Sequence, residues 1–153
     1  MPFANHLHRL NTIFANQPLY FVTTCVADRK NTSLASRECN DIIMAEWQSA
    51  LEHYGWGVGS YVIMPNHIHF FCRPTLDAVA LSMFVGKLKE RSAKHMKTTG
   101  LPGHLWQAGF FDHLLRSDES YSEKWDYVRQ NPVRAELVQT SEAWPYYGHV
   151  HFT

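Results

Sequence analysis

Two short runs in this sequence carry side chains that could do chemistry. The first is Pro65-Asn66-His67-Ile68-His69-Phe70. Side chains of an extended strand alternate faces, so His67 and His69 point the same way, one pleat apart. Ile68 and Phe70 then point the opposite way, where they can be buried. Two imidazoles on one face make a metal-binding pair. The everyday meaning of His-x-His is two hydrogen-bonded histidines on a half-exposed strand, and the run alone leaves both meanings open. It does exclude a histidine-triad nucleotide hydrolase, which would place a third histidine in the alternation where this chain has Phe71.

The second run is Trp125-Asp126-Tyr127-Val128-Arg129-Gln130-Asn131-Pro132-Val133. On a helix, Tyr127 and Asn131 share one face, a turn apart. This brings a phenol oxygen and an amide oxygen to nearly the same place. A phenol ionises near pH ~10 and is a poor nucleophile at neutrality unless a neighbouring metal grips the target and favours the phenolate. A core aromatic followed by a helix C-cap accounts for the same two residues without any chemistry.

The elements that must position these groups follow from pattern. Residues 19–26 are β-branched and aromatic and predict a strand. Residues 36–54 predict a helix, with Ser36 as N-cap, Ile43, Trp47, Ala50, Leu51 and Tyr54 at helical spacing, and Gly55 as the stop. Residues 56–64 and 67–72 predict two strands joined by the Pro65-Asn66 turn into an antiparallel hairpin. A second helix is predicted over residues 77–98, with a stripe of Leu81, Phe84, Val85, Leu88, Ser92 and Met96, and Gly100 and Pro102 beyond its end. Residues 110–116 predict a fourth strand. A third helix opens at Asp118 or Ser120 and ends near Asn131, because Pro132 disfavours helical geometry in the residue before it. Strands in a hairpin flanked by helices give an α+β fold, a mainly antiparallel sheet with helices packed on it.

The 153 residues suit one domain, with an aromatic tail at about 141–153 expected to fold back onto the core rather than to stack on bases. At 45% hydrophobic and 18% charged the chain is an ordinary globular one. No run approaches the ~20 apolar residues of a membrane span, and the opening residues 1–6 do not make a signal peptide. Cys25, Cys39 and Cys72 match no zinc spacing and read as reduced thiols, so a cytoplasmic location is expected. Fourteen basic residues balance fourteen acidic ones, so overall charge does not announce a nucleic-acid partner. The charge is unevenly spread, however. Between Lys87 and Lys97 five basic residues face Glu90 alone, and Lys87, Arg91 and Lys94 share an outward helix face suited to phosphates.

Taken in order, these motifs resemble the HUH single-tyrosine transposases, and among them the REP-associated tyrosine transposases of bacteria. The resemblance rests on Phe21-Val22-Thr23-Thr24, on Tyr61-Val62-Ile63-Met64-Pro65-Asn66-His67-Ile68-His69, on Leu105-Trp106-Gln107 followed by Phe110-Phe111-Asp112-His113, on Tyr127 with Asn131-Pro132-Val133-Arg134, and on Trp144-Pro145-Tyr146. It implies a ferredoxin-like HUH nuclease sandwich in which His67, His69 and Asn131 hold a divalent ion, Mg²⁺ or Mn²⁺. It implies that Tyr127 attacks single-stranded DNA at hairpin-associated sites and forms a 5′-phosphotyrosine, and that the protein works as a homodimer. Lys87, Arg91 and Lys94 are the expected DNA contacts. Two other functions compete: a domesticated DNA-hairpin-binding protein that no longer cleaves, and a metal-dependent phosphodiesterase using water. Asp112 and His113 are left as a strand-end pair without an assigned role.

Overall fold

The computed structural model describes residues 13–116 and 119–153, which leaves residues 1–6 and the alternative helix start at Asp118 outside it. In chain order the elements are β1 (Tyr20–Cys25), α1 (Arg37–Tyr54), β2 (Trp56–Ile63), β3 (His67–Pro74), α2 (Leu81–Met96), β4 (Phe111–Leu114), α3 (Tyr121–Val128), the single turn α4 (Asn131–Arg134) and β5 (Tyr147–His149). The five strands form one sheet in the order β4-β1-β3-β2-β5, and every pairing is antiparallel. This is the predicted α+β architecture.

Strand alternation divides the protein into two layers. Ile68, Phe70 and Cys72 of β3 are fully buried beneath α1 and α2, where Trp47 and Phe84 close over Phe70 at ring separations of 5.2 and 6.1 Å. On the other face, Phe71 packs with Trp125 and Val128 of α3, and with Trp144 and Phe152 from the C-terminal stretch. The hairpin fixes this division, because a slip of one residue would exchange the two sets of side chains.

The helix ends follow local chemistry where it is decisive. Ser36 Oγ accepts the Cys39 N–H at 3.1 Å, and Gly55 closes α1 at φ 74° with its N–H donating to Ala50 and Leu51. A side chain at Gly55 would meet the Ala78 backbone at 2.8 Å, so this turn requires glycine twice over. By contrast α2 begins at Leu81, four residues later than the predicted Asp77. Thr75 and Val79 donate their N–H groups to Gly55 and Tyr54 at the end of α1, and this tertiary claim on the backbone delays the helix.

Two further departures matter for function. The third helix does not run to Asn131; it stops at Val128 and a separate turn starts at Asn131. The tail folds back as expected, but it also contributes an edge strand. Tyr147, Gly148 and His149 pair with Val62, Tyr61 and Ser60, and Trp144 donates its indole N–H to Ile63 O at 3.0 Å.

Candidate active site

His67 and His69 stand side by side on the α3 face of the sheet, ring centroids 4.6 Å apart and planes at 74°. Each ring is held through Nδ1. His67 Nδ1 lies 2.6 Å from Asn66 Oδ1, and His69 Nδ1 lies 2.7 Å from Thr23 Oγ1 on the neighbouring strand. An amide oxygen only accepts, so His67 carries its proton on Nδ1 and presents the Nε2 lone pair outward. The Thr23 hydroxyl allows His69 the same tautomer, and Phe21 stacks beneath that ring at 5.1 Å. Second partners of this kind are what orient imidazole ligands towards a metal.

Both imidazoles are held neutral. Burial first, then the charge of Arg29, pushes His67 down to about 4. Burial, then His67, Arg134 and Lys124, pushes His69 down to about 3. A cation at Nε2 therefore meets a lone pair, with no proton to displace near neutral pH.

The helix carrying Tyr127 is tied to this face of the sheet at its first turn. Ser120 Oγ caps it by accepting the Glu123 N–H. The Tyr121 hydroxyl accepts the Ser60 N–H at 2.8 Å, at an irregularity in β2 where the pairing slips between Val58 and Tyr61. Gly59 makes this approach possible, since a Cβ there would stand 2.5 Å from the Tyr121 hydroxyl. Tyr121 and Trp125 then pack on Phe71, and Lys124 lies over the Phe21 ring at 5.1 Å. Tyr127 itself is 65% exposed. Arg134 of α4 stacks on its ring, guanidinium carbon 4.0 Å from the centroid. Arg134 thus touches the phenol and is felt at His69. Glu119 and Glu123 line the groove shared by Lys124 and Tyr127, so this surface is not uniformly cationic.

Asn131 is oriented by the proline that follows it. Were helix α3 to continue, residue 132 would donate its N–H to Val128 O. Pro132 has no N–H, and Asn131 Nδ2 donates to that carbonyl instead at 2.8 Å. This ends the helix and leaves Oδ1 as the accepting end of the amide. Among the described residues no group of three or more His, Cys, Asp and Glu gathers as a metal site. Two adjacent neutral imidazole nitrogens are donors that suit a divalent ion, and a complete set would need oxygen ligands besides them.

The other predicted contacts lie elsewhere. Lys87, Arg91 and Lys94 are on α2, in the opposite layer from the histidines; Arg91 is paired to the buried Glu46 at 3.0 Å and Lys87 to Glu90 at 3.6 Å. His113 pairs with Glu119 at 3.0 Å. Thr23, Asn66, Lys124 and Arg134 join the site through contacts that only the fold creates. Thr23, Asn66 and Arg134 lie in the motifs that carry the family resemblance, but their contacts depend on strand register and on the turn after α3; Lys124 carries no signal in the sequence.

Comparison with known proteins follows the same lines. The family described as Transposase IS200 like matches residues 14–131. A Haemophilus influenzae protein provisionally named as a REP-associated tyrosine transposase is 28% identical over 143 residues, covering 87% of this chain and 80% of its own. The REP-associated tyrosine transposase of Escherichia coli is 28% identical over 89 residues, covering 58% of this chain and 52% of its own. A solved structure of a REP-associated tyrosine transposase bound to a REP hairpin superposes with a TM-score of 0.71 at 21% identity, over 86% of this chain and 76% of that one, a likeness of fold.

Proposed function

Because the chain belongs to the IS200-like transposase family, we propose that it cleaves and rejoins single-stranded DNA beside hairpins, with Tyr127 as the nucleophile. The observation that supports this reading is a pair of adjacent neutral imidazoles on the sheet face that packs against α3, the helix bearing an exposed phenol whose ring stacks on Arg134, a charge also felt at His69. His67, His69 and Asn131 would hold a divalent ion, Mg²⁺ or Mn²⁺. When bound, that ion supplies Lewis-acid polarisation of the scissile phosphodiester.

The chain's own residues do the rest. The Tyr127 oxygen forms a bond to phosphorus as the bond from phosphorus to the 3′-oxygen breaks. The phenol proton passes to solvent, and the departing oxygen takes up a proton to become a 3′-hydroxyl. A 5′-phosphotyrosine remains, and attack by another 3′-hydroxyl reverses the step, so the phosphodiester energy is conserved. Arg134 holds the ring of Tyr127 and, with Lys124 and Arg29, faces the phosphate charge. Thr23 and Asn66 keep the imidazoles in the ligating tautomer. In this reading Lys87, Arg91 and Lys94 stand away from the cleaved bond. The relative solved with a REP hairpin supports a hairpin as the DNA partner, and the expected homodimer belongs to the same proposal.

A denaturing gel tests it. The protein is incubated with hairpin-bearing single-stranded DNA and Mg²⁺ or Mn²⁺, then denatured. A band of DNA bound covalently to protein is expected, and Tyr127→Phe should abolish it by removing one oxygen. Free cleaved DNA would instead select a water-using hydrolase, and intact DNA a binding protein without cleavage.

A further inference from the structure

Among the described residues, two aromatic side chains are largely exposed, Tyr127 at 65% and Phe111 at 70%. The reading above gives Tyr127 a use and leaves Phe111 without one. Its position is informative. Thr23 faces His69 on one side and Phe111 on the other. Directly opposed residues in antiparallel strands share a face, so one row across the sheet runs Val62, His69, Thr23, Phe111. With neighbouring strands about 4.8 Å apart, Phe111 lies roughly 10 Å from His69 at the Cα atoms. This is a distance that a nucleotide or two of unpaired strand can cover.

The ring is kept outward by construction. Phe110, its neighbour in sequence, packs against the opposite core. Before it, Lys89 Nζ donates to the carbonyls of Gln107 and Gly109, each at 2.6 Å, Trp106 donates to Ser92 Oγ, and Gly109 turns the chain at φ 75°. On the same face Thr23 lies beside it and His113 two residues along β4, the latter paired to Glu119, while Phe21, opposite His113, is stacked on His69 and covered by Lys124. Leu114, also exposed, opposes Tyr20 and so belongs to the other face. A single largely exposed ring, its one aromatic same-face neighbour already covered, offers little of the contiguous apolar patch a protein interface needs. It suits a nucleobase, which needs one aromatic face, and Lys124, Arg134 and Arg29 stand near the imidazole pair to meet the adjoining phosphates.

We infer that Phe111 is a stacking platform for an unpaired base flanking the cleaved phosphate. This rests on the reading of Tyr127 and the histidines above and extends it to how the strand is laid across the sheet. Stacking tolerates every base, so Phe111 anchors the strand without reading its sequence.

Fluorescence anisotropy tests this with a fluorescein-labelled DNA hairpin carrying unpaired thymidine flanks, in EDTA so that the DNA stays intact. Phe111→Ala should weaken binding of the flanked hairpin by about 5- to 150-fold, the range that loss of one base stack gives. Binding of the blunt hairpin should be unchanged, and Phe111→Trp should restore the flanked one. An abasic residue at one flank position should cost the unsubstituted protein the same factor and Phe111→Ala nothing more. Equal affinity of Phe111→Ala for the flanked hairpin would overturn the inference. So would a change in sedimentation with DNA affinity intact, which would assign the ring to a contact between copies of the chain. If the unsubstituted protein forms its covalent band while Phe111→Ala binds normally, this inference alone fails. If no covalent band forms at all, the functional reading fails first.

Discussion

The two faces of β3 make the most instructive contrast in the molecule. Ile68, Phe70 and Cys72 enter a layer closed by two long helices and are fully buried. His67 and His69, interleaved with them, enter a layer that one short helix and the C-terminal stretch cover only as far as Phe71. The half-covered layer lowers the basicity of the imidazoles while leaving their outer nitrogens accessible. The closed layer supplies the rigidity that keeps them 4.6 Å apart. Stability and chemistry are thus assigned to alternate residues of one strand.

Substituting neighbours on this strand is the strongest way to break that contrast. Phe70→Ala should cost about 3–5 kcal/mol of stability, as large cavities between packed rings do. His69→Ala should change stability by about 1 kcal/mol or less and abolish the covalent adduct. Urea denaturation and the gel assay, run on both variants, check this. If His69→Ala unfolds as readily as Phe70→Ala, the pair is a structural feature of the sheet and the division by face is wrong.

The second test concerns the turn after α3. Pro132→Ala restores an N–H that can claim Val128 O, so the helix should run on and release the Asn131 amide. Loss of such a supporting contact typically costs 10- to 100-fold in metal affinity or activity. The manganese concentration that half-saturates adduct formation should rise accordingly, with no loss of thermal stability. An unchanged manganese dependence would mean that the orientation of Asn131 does not matter to the ion.

What could be read in the sequence divides in a similar way. The His67/His69 pair, the β2–β3 hairpin and both ends of α1 depend on neighbours in sequence, namely strand alternation, Pro65-Asn66, Ser36 and Gly55, and each lies where the pattern puts it. The start of α2 depends on Thr75 and Val79 bonding to the end of α1, and β5 is three residues whose extended form comes from pairing with β2. Neither leaves a local signature. The site is partitioned likewise: the imidazoles were evident from spacing, whereas Thr23 as the partner of His69 requires the β1–β3 register, and Arg134 as the partner of Tyr127 requires the break at Pro132. The Asn-Pro step is visible in the sequence and marks a helix end, but that it also turns the amide shows only in the bond from Asn131 to Val128 O.

A further effect is one of pH on the metal-free protein, and its sign follows from the contrast between the faces. In the unfolded chain both imidazoles titrate near their ordinary 6.5, while in the folded protein burial holds His67 at about 4 and His69 at about 3. As pH falls from about 6.5 towards those values, the unfolded state takes up protons that the folded state refuses, so stability declines across that window. The decline levels off once the folded imidazoles also protonate, and above pH 6.5 the pair contributes no slope. His69→Gln removes one such group, so its urea midpoint should fall less between pH 6.5 and 4 than that of the unsubstituted protein. His149, also held below its ordinary value by burial, is present in both proteins and cancels in the comparison. Identical slopes would mean that His69 is already protonated, or freely solvated, in the folded state. Its outer nitrogen would then not be a ready ligand, and the half-covered face would lose the property that sets it apart from the closed one.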